Sequence, residues 1–336
     1  PVYKGKQRGG EGAGHYSNVQ LSDGTRRPAT AGERTGTSPL PSSAVLFTAD
    51  QLQSAGMGRE KGEGAASWFT VNFQGRLFTP TVHSRWKTNQ SGMQRLIRAN
   101  RVIAQNSALR YVRRIDDFSA FAVNNIWTDV GGAPSKSYVV ETAPRIVERC
   151  LLMATDPGDL VLDPTCGSGT TAVVAEQWGR RWITIDTSSV ALALARQRLM
   201  SARFPYYLLA DSKEGRAKEQ EITGRIQPDS PTYGDIRKGF VYARVPHITL
   251  KSIANNAEID VIWETYQQKL EPLRAKLNQC LGRTGERASP SDAGPNGPWE
   301  EWEIPREADE TWPEEAKILH AEWWAARIER QKKIDE

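Results

Sequence analysis

Two carboxylates and a short glycine run stand at spacings that suit a ligand bearing a nucleoside. Asp163 closes the apolar run Leu160-Val161-Leu162 and is followed by Pro164-Thr165-Cys166-Gly167-Ser168-Gly169-Thr170-Thr171. Ala172 to Trp178 resumes a helix-compatible pattern, Gly179-Arg180-Arg181 breaks it, and Trp182-Ile183-Thr184-Ile185 makes a second apolar run ending in Asp186. The pattern predicts strand, tight turn, helix and strand, with Thr187 and Ser188 capping a further helix through Leu199. A βαβ unit of this kind places its ligand beyond the strand ends, at the amino terminus of the intervening helix.

The glycines are spaced G-x-G-x-x-A, which first raises a nicotinamide or flavin dinucleotide. Asp163 argues against it, because a carboxylate at the tip of the first strand would face the pyrophosphate that a helix amino terminus otherwise attracts. The same carboxylate suits a ligand with an ammonium group and no phosphate, with Asp186 accepting from two ribose hydroxyls. S-adenosylmethionine has that chemistry. No Lys-Ser or Lys-Thr follows the glycines, which excludes the phosphate loop of a nucleoside triphosphatase.

The stretch from Asp159 to Thr171, with Gly179 to Asp186 after it, resembles the cofactor half of the amino-group DNA methyltransferases. These are the N6-adenine and N4-cytosine enzymes of restriction-modification systems, including the modification subunits of type III systems. The likeness is specific over about Trp127 to Leu199, and the family's usual Phe is Thr165 here. The resemblance implies a doubly wound, Rossmann-like α/β domain that binds S-adenosylmethionine and acts on double-stranded DNA, N6 of adenine before N4 of cytosine. A restriction subunit or a second copy of the chain is the partner it suggests, in the cytoplasm. Cofactor contacts are then expected at Asp163, Pro164, Thr165, Gly167, Ser168, Gly169, Thr170 and Asp186. Trp127-Thr128-Asp129, Lys136-Ser137-Tyr138 and the Pro144 helix look like the family's approach to the site, with Thr142 its nearest ligand contact. Asp211, closing a third expected strand at Tyr206–Ala210, meets the adenine amino group or caps a helix.

One family feature is missing. Amino methyltransferases carry an Asp/Asn/Ser-Pro-Pro-aromatic tetrapeptide that accepts from the exocyclic amine and stacks on the flipped base. This sequence holds no Pro-Pro pair. Ser230-Pro231-Thr232-Tyr233 comes nearest, which makes Ser230 and Tyr233 weak catalytic candidates. In one motif order the tetrapeptide comes first, then the recognition region, then the cofactor turn. The expectation is therefore a carboxy-terminal part whose catalytic motif lies upstream of Pro1. An RNA methyltransferase acting on a guanine amine, and a non-catalytic DNA-binding specificity component, stay open beside it.

The elements around the turn divide by charge. Residues 1–150 carry 20 Lys/Arg against 11 Asp/Glu, a net +9, whereas residues 251–336 carry 12 against 18, a net −6. A nucleic-acid face toward the amino terminus follows. Residues 1–43, rich in Gly, Ser, Thr and Pro, read as flexible or inserted. Residues 44–126 read as a basic recognition region, with a hairpin over Trp68–Phe78 and a helix from Met93 to Gln105. Arg95, Arg98 and Arg101 make a stripe on that helix. Arg59, Arg76, Arg85, Lys87, Arg110, Arg113 and Arg114, interleaved with Trp68, Phe69, Trp86 and Tyr111, add phosphate and stacking contacts.

Residues 127–215 form the cofactor domain, and 216–336 a linker and an acidic helical tail. In the tail, Ile253–Leu281 and Pro313–Asp335 have helical spacing, the second opened by a Thr311-x-x-Glu314 capping box around a tryptophan-rich core. Three scattered cysteines and four scattered histidines give no metal site. No apolar run approaches the ~20 residues of a membrane span.

Overall fold

The structure is a computed structural model that describes residues 3–54, 66–132, 138–226 and 230–336. The chain forms two compact units, one of Lys6–Ser119 with Pro246–Glu336, the other of Ala120–Val245 with the first few residues. The first strand, β1 (Tyr3–Gly5), belongs to the second of these.

The larger unit is built on five antiparallel strands in the order β3-β2-β4-β10-β9. These are β2 (Asn18–Gln20), β3 (Arg26–Pro28), β4 (Val45–Gln51), β9 (Val102–Gln105) and β10 (Ala108–Arg114). Residues 18–28, expected to be flexible, are thus part of the sheet, and Tyr16 and Val19 are wholly buried with Leu46. α1 (Ala31–Thr35) follows, its capping box closed by Thr30 and Glu33 while Arg27 grips the Glu33 carboxylate. Three-residue strands with one buried side chain each show no periodicity, which is why composition alone misreads them.

β5 (Gln53–Ser54) pairs with β8 (Arg85–Trp86), and β6 (Val71–Phe73) with β7 (Arg76–Phe78). The β6–β7 turn is Gln74-Gly75, both at positive φ (53° and 72°), the primed geometry that matches strand twist. The expected hairpin is present but shorter, with Trp68 to Thr70 outside the strands. α2 (Gln90–Arg98) corrects another expectation, since it stops seven residues before Gln105. Asn100 takes φ +54°, and Val102-Ile103 then pair with Tyr111 and Arg110 of β10. Leaving the helix turns Arg101 inward, where it meets Asp117 with both carboxylate oxygens at 2.7–2.8 Å.

After residue 245 the chain contributes α7 (Leu250–Asn255), α8 (Glu258–Cys280) and α9 (Glu314–Asp335) to this same unit. The recognition region and the tail, read as separate from sequence, are one body. α8 and α9 pack along each other around Leu270, Leu277, Trp323 and Trp324, with Trp299 and Trp312 at the margin. The capping box expected at Thr311 is not formed: its hydroxyl donates to Asp309, and Pro313 precedes the first turn.

In the smaller unit β1 pairs with β11 (Ala120–Ala122). α3 (Pro144–Ala154) leads to β12 (Leu160–Asp163), α4 (Thr170–Gln177), β13 (Arg181–Thr184), α5 (Ser189–Ser201) and α6 (Lys213–Thr223). β12 and β13 are parallel, with Asp163 opposite Thr184. One face of the pair packs Val161 and Trp182 against Leu151, Val174 and Ala175. The other presents Leu160, Leu162, Ile183 and Ile185, each 49–60% exposed. The third strand expected at Tyr206–Ala210 is reduced to a single bridge, Leu209 to Phe240, because Pro205 and the exposed Tyr206 leave no buried alternation. The class is α/β, and among the described residues the parallel sheet has two strands. Among the described residues, no helix is long and apolar enough to cross a membrane.

Arg101 and Asp117 are 5% and 3% exposed at their side chains, so removing one partner strands a buried charge. Arg101→Ala should lower unfolding stability by about 3–5 kcal/mol in denaturant titration. A loss below ~1 kcal/mol, the range of exposed pairs, would show that the pair is solvated.

Candidate cofactor site

The turn between β12 and α4 is held by the strand that follows it. Ile185 N–H donates to the Asp163 carbonyl at 2.9 Å and Cys166 N–H to the Ile185 carbonyl at 2.9 Å, so the parallel pairing continues past the strand ends. Gly167 and Gly169 sit at φ +51° and +78°, where a side chain would be strained. A Cβ on Gly169 would lie 2.7 Å from Ala195 Cβ, so this glycine lets α5 close on the start of α4. A Cβ on Gly167 would be 3.4 Å from the Tyr138 ring, which rests over the bare backbone.

The Asp186 carboxylate is fixed at both oxygens, one accepting from Gly167 N–H at 2.8 Å and the other from Ser188 N–H at 2.9 Å. The Ser188 and Gly167 amides hold its pKa below the usual carboxylate value. Each oxygen keeps lone-pair capacity, so the carboxylate is oriented and still able to accept from a diol. Ser188 also caps α5, accepting from Ala191 N–H as expected. Asp163 uses Oδ1 for Thr165 N–H at 3.1 Å, and Oδ2 has no partner among the described residues. Pro164 and Thr165 form the exposed outer edge of the turn.

Sequence reasoning missed Glu141 and Arg198. The Arg198 guanidinium, in the last turn of α5, donates to Glu141 Oε1 at 2.9 Å, Thr170 Oγ1 at 3.0 Å and Ser168 Oγ at 3.2 Å. The Glu141 side chain is 5% exposed. Ser168 and Thr170, expected as ligand contacts, are therefore buried under this ion pair. The pair joins residues 57 apart in sequence, and no spacing signals it. It also neutralises a cation beside the glycine turn, which leaves the turn poorly suited to a pyrophosphate. The acceptors fit S-adenosylmethionine: one carboxylate oxygen for an ammonium and one oriented carboxylate for ribose hydroxyls. Thr142 is exposed just before α3.

The approach segment is pinned to α3. Asp129 takes both Arg149 nitrogens, at 3.1 and 2.7 Å, and Lys4 at 3.1 Å, and Arg149 lies over the Trp127 ring. Arg149, then Lys4, hold the Asp129 carboxyl well below its usual range. Lys136 and Ser137 lie outside the described residues, as does Arg59.

Several basic residues expected at a DNA surface have internal partners instead. Arg95 and Arg98 share Asp260 of α8, at 2.8 and 2.7 Å. Arg101 is buried on Asp117, Arg114 pairs with Asp335, and Arg113 with Asp50. Trp86 and Tyr111, expected to stack on bases, are buried in the core. Arg85 and Arg110 are half-buried. Lys87 is exposed, and so is Arg76, which lies over Phe78 and donates to the Asn106 carbonyl.

Asp211 is likewise structural. Its side chain is fully buried and accepts from Lys238, from the backbone N–H groups of Asp235 and Tyr233, and from Arg216. Ser230 accepts from Arg216 at its carbonyl, while the Tyr233 ring is 79% exposed. Lys238 first, then the Asp235 amide, hold the Asp211 carboxyl down to about 2 from 3.8. A depressed carboxyl stabilises the fold above its unfolded pKa, and that contribution fades as pH falls toward the folded value. Thermal midpoints followed from about pH 5 down to about pH 2 should fall less steeply in Asp211→Asn than in the wild type. Parallel slopes would remove Asp211 as an anchor.

Residues 71–197 match the family model described as DNA methylase. The type II methyltransferase M2.DpnII of Streptococcus pneumoniae is 52% identical over 54 residues, 16% of this chain and 20% of that protein. M2.LlaDCHI of Lactococcus lactis is 37% identical over 83 residues, 23% of this chain and 30% of that protein. The DNA adenine methyltransferase YhdJ of Escherichia coli is 32% identical over 88 residues, 25% and 30% of the two chains. The chain thus spans a fifth to under a third of the length of these relatives. Over residues 71–197, which carry the Asp163 turn and Asp186, the chain is similar to the amino-group (N6/N4) DNA methylases.

Proposed function

We propose that the chain is the cofactor-binding part of a site-specific DNA methyltransferase that methylates an exocyclic base amine, adenine N6 before cytosine N4. The observation that carries this is the pair of carboxylates about the glycine turn, one with an unpartnered oxygen and one fixed by two amides. Asp163 takes the ammonium and Asp186 the ribose hydroxyls. S-adenosylmethionine, when bound, supplies an electrophilic methyl group on a sulfonium. Glu141 and Arg198 keep the turn in shape and hold phosphate away from it. The adenine preference follows the Escherichia coli relative, a DNA adenine methyltransferase. The same reading makes β12 and β13 two strands of a doubly wound, Rossmann-like sheet in a cytoplasmic enzyme, with a restriction subunit or second copy as partner.

An acceptor for the target amine is the remaining need, since transfer depends on positioning a desolvated amine. Ser230 to Tyr233 lacks the second proline, and Asp211 ties its backbone down with the tyrosine ring turned to solvent. In this reading the acceptor comes from a further polypeptide segment, and Arg76 and Lys87 contribute phosphate contacts from the larger unit.

Asp186→Ala should weaken binding of S-adenosylhomocysteine by about 1–3 kcal/mol in calorimetry. Tight NAD binding with no response to S-adenosylhomocysteine would overturn the cofactor assignment. Neutralising Arg76 and Lys87 together should weaken binding to all DNA sequences and lower the salt slope by about two phosphate contacts. An unchanged slope rules these residues out as contacts. In a labelled-methyl assay on mixed-sequence duplex DNA, the chain alone should be inactive. Robust activity lost on Tyr233→Ala would instead make Ser230 to Tyr233 the catalytic motif.

A further inference from the structure

The larger unit contains a cavity of about 190 Å3 between the β2–β3 turn, the start of β4, Asn100 and α9. A single water needs roughly 10–15 Å3 and small-molecule sites run to about 300–1,000 Å3, so the space suits a small ion with residual water. Arg114, Arg327 and Arg330 line it, while Arg26 and Arg306 donate to the lining residues Asn100 and Asp23. The carboxylates nearby do not consume this charge. Asp335 takes Arg114 at 2.9 Å, Arg327 and Arg330 share Glu301, and Asp23 turns both oxygens to Thr25 at 2.7 Å. Arg26 has no carboxylate partner among the described residues; it donates to two carbonyls and to the carboxamides of Gln20 and Asn100. Burial first, then Arg114 and Arg101, lower its pKa to about 10, and burial followed by Arg327 lowers that of Arg306. The guanidiniums repel one another, and positive charge is left over.

Arg26 also sets the polarity of the wall. It occupies Gln20 Oε1 and Asn100 Oδ1, each at 3.0 Å, so both carboxamides have an acceptor taken and an NH2 group to spare. Gln20 is only 7% exposed and lines the cavity, and Asn100 Nδ2 lies beside Gly24 of the same wall. Neither amide nitrogen has a partner among the described residues, and neither is sealed from solvent. A buried carboxamide with its donors unmet lacks an acceptor on that side. Arg327 adds more donors, since it holds Glu301 through Nε and its two terminal nitrogens have no hydrogen-bond partner among the described residues. The exposed Ser22 and Ser43 stand on the open side of the cavity.

Unmet donors facing a positively charged space with no free carboxylate suit an anion with several acceptor oxygens. We propose that this cavity binds a small free oxyanion of the phosphate type, held by the amide groups of Gln20 and Asn100 and by the arginines of its wall. Guanidinium geometry matches such an ion, and charge-assisted hydrogen bonds are the strong ones. The ion bridges the β2–β3 turn, Asn100 and α9, and so ties the amino-terminal sheet to the last helix. The site lies wholly within the larger unit and is independent of the methyl-transfer reading.

The test is calorimetric titration of the full chain with inorganic phosphate, with chloride holding the ionic strength constant. The wild type should saturate at a single site, with or without S-adenosylhomocysteine present. Gln20→Glu and Asn100→Asp keep the side-chain size and an oxygen for Arg26, and aspartate tolerates the φ of +54° at position 100. Each replaces a spare donor with a charged acceptor, and each should weaken phosphate about tenfold or more. In phosphate-free buffer their thermal midpoints should match or exceed the wild type, because Arg26 gains a counter-charge. Absence of saturation in the wild type overturns the proposal, and so does unchanged affinity in both variants. Displacement of phosphate by S-adenosylhomocysteine overturns it by placing the ion at the cofactor turn. Displacement by duplex DNA lacking terminal phosphates overturns it by making the cavity a contact for the nucleic-acid backbone.

Discussion

The smaller unit depends on one carboxylate accepting two amides. Asp186 ties Gly167, in the turn after β12, to Ser188, at the head of α5, and so fixes the ends of two parallel strands relative to each other. Backbone N–H groups at a helix start need acceptors, and here a single side chain serves a turn and a helix together. Gly167 and Gly169 take the positive φ that lets the turn pass between this anchor and Ala195. A site built this way is oriented before any ligand arrives, which lowers the ordering cost of binding.

Arginine in this chain serves largely as an internal bridge. Arg26 donates to the carbonyls of Asn100 and Val102, and burial lowers its pKa to about 10. Arg330 reaches Glu301 and Gln267 while covering Trp263. The planar guanidinium can satisfy several acceptors and lie on an aromatic ring at once, which suits it to joining segments with little regular structure. The amino-terminal excess of positive charge therefore overstates the basic surface. Arg95, Arg98, Arg101 and Arg114 all spend their charge on carboxylates within the unit.

What was legible from sequence had a local cause. The turn from Asp163 to Thr171 could be read because each residue type answers a backbone need within a few positions, and the Ser188 cap followed the same logic. The clamp of Glu141 and Arg198 could not, since its partners meet only after α5 folds back. The amino-terminal strands were hidden because a three-residue strand with one buried side chain has no period. Arg101 was misassigned because a helical stripe at i, i+3 and i+6 was extended across Asn100, whose left-handed backbone ends the helix. The tryptophans of α8 and α9 were read correctly as packing, yet nothing in their spacing linked them to the amino-terminal sheet.

The strand pair β12–β13 carries aliphatic side chains on both faces, and only one face is covered within the smaller unit. Leu160, Leu162, Ile183 and Ile185 meet water on the other. Parallel strands are ordinarily buried on both sides, and each Å2 of such surface shielded from water is worth roughly 25 cal/mol. Anything apolar that settles there shifts the unfolding equilibrium by mass action. An apolar surface covering that face would therefore raise the stability of this unit in proportion to the area it shields.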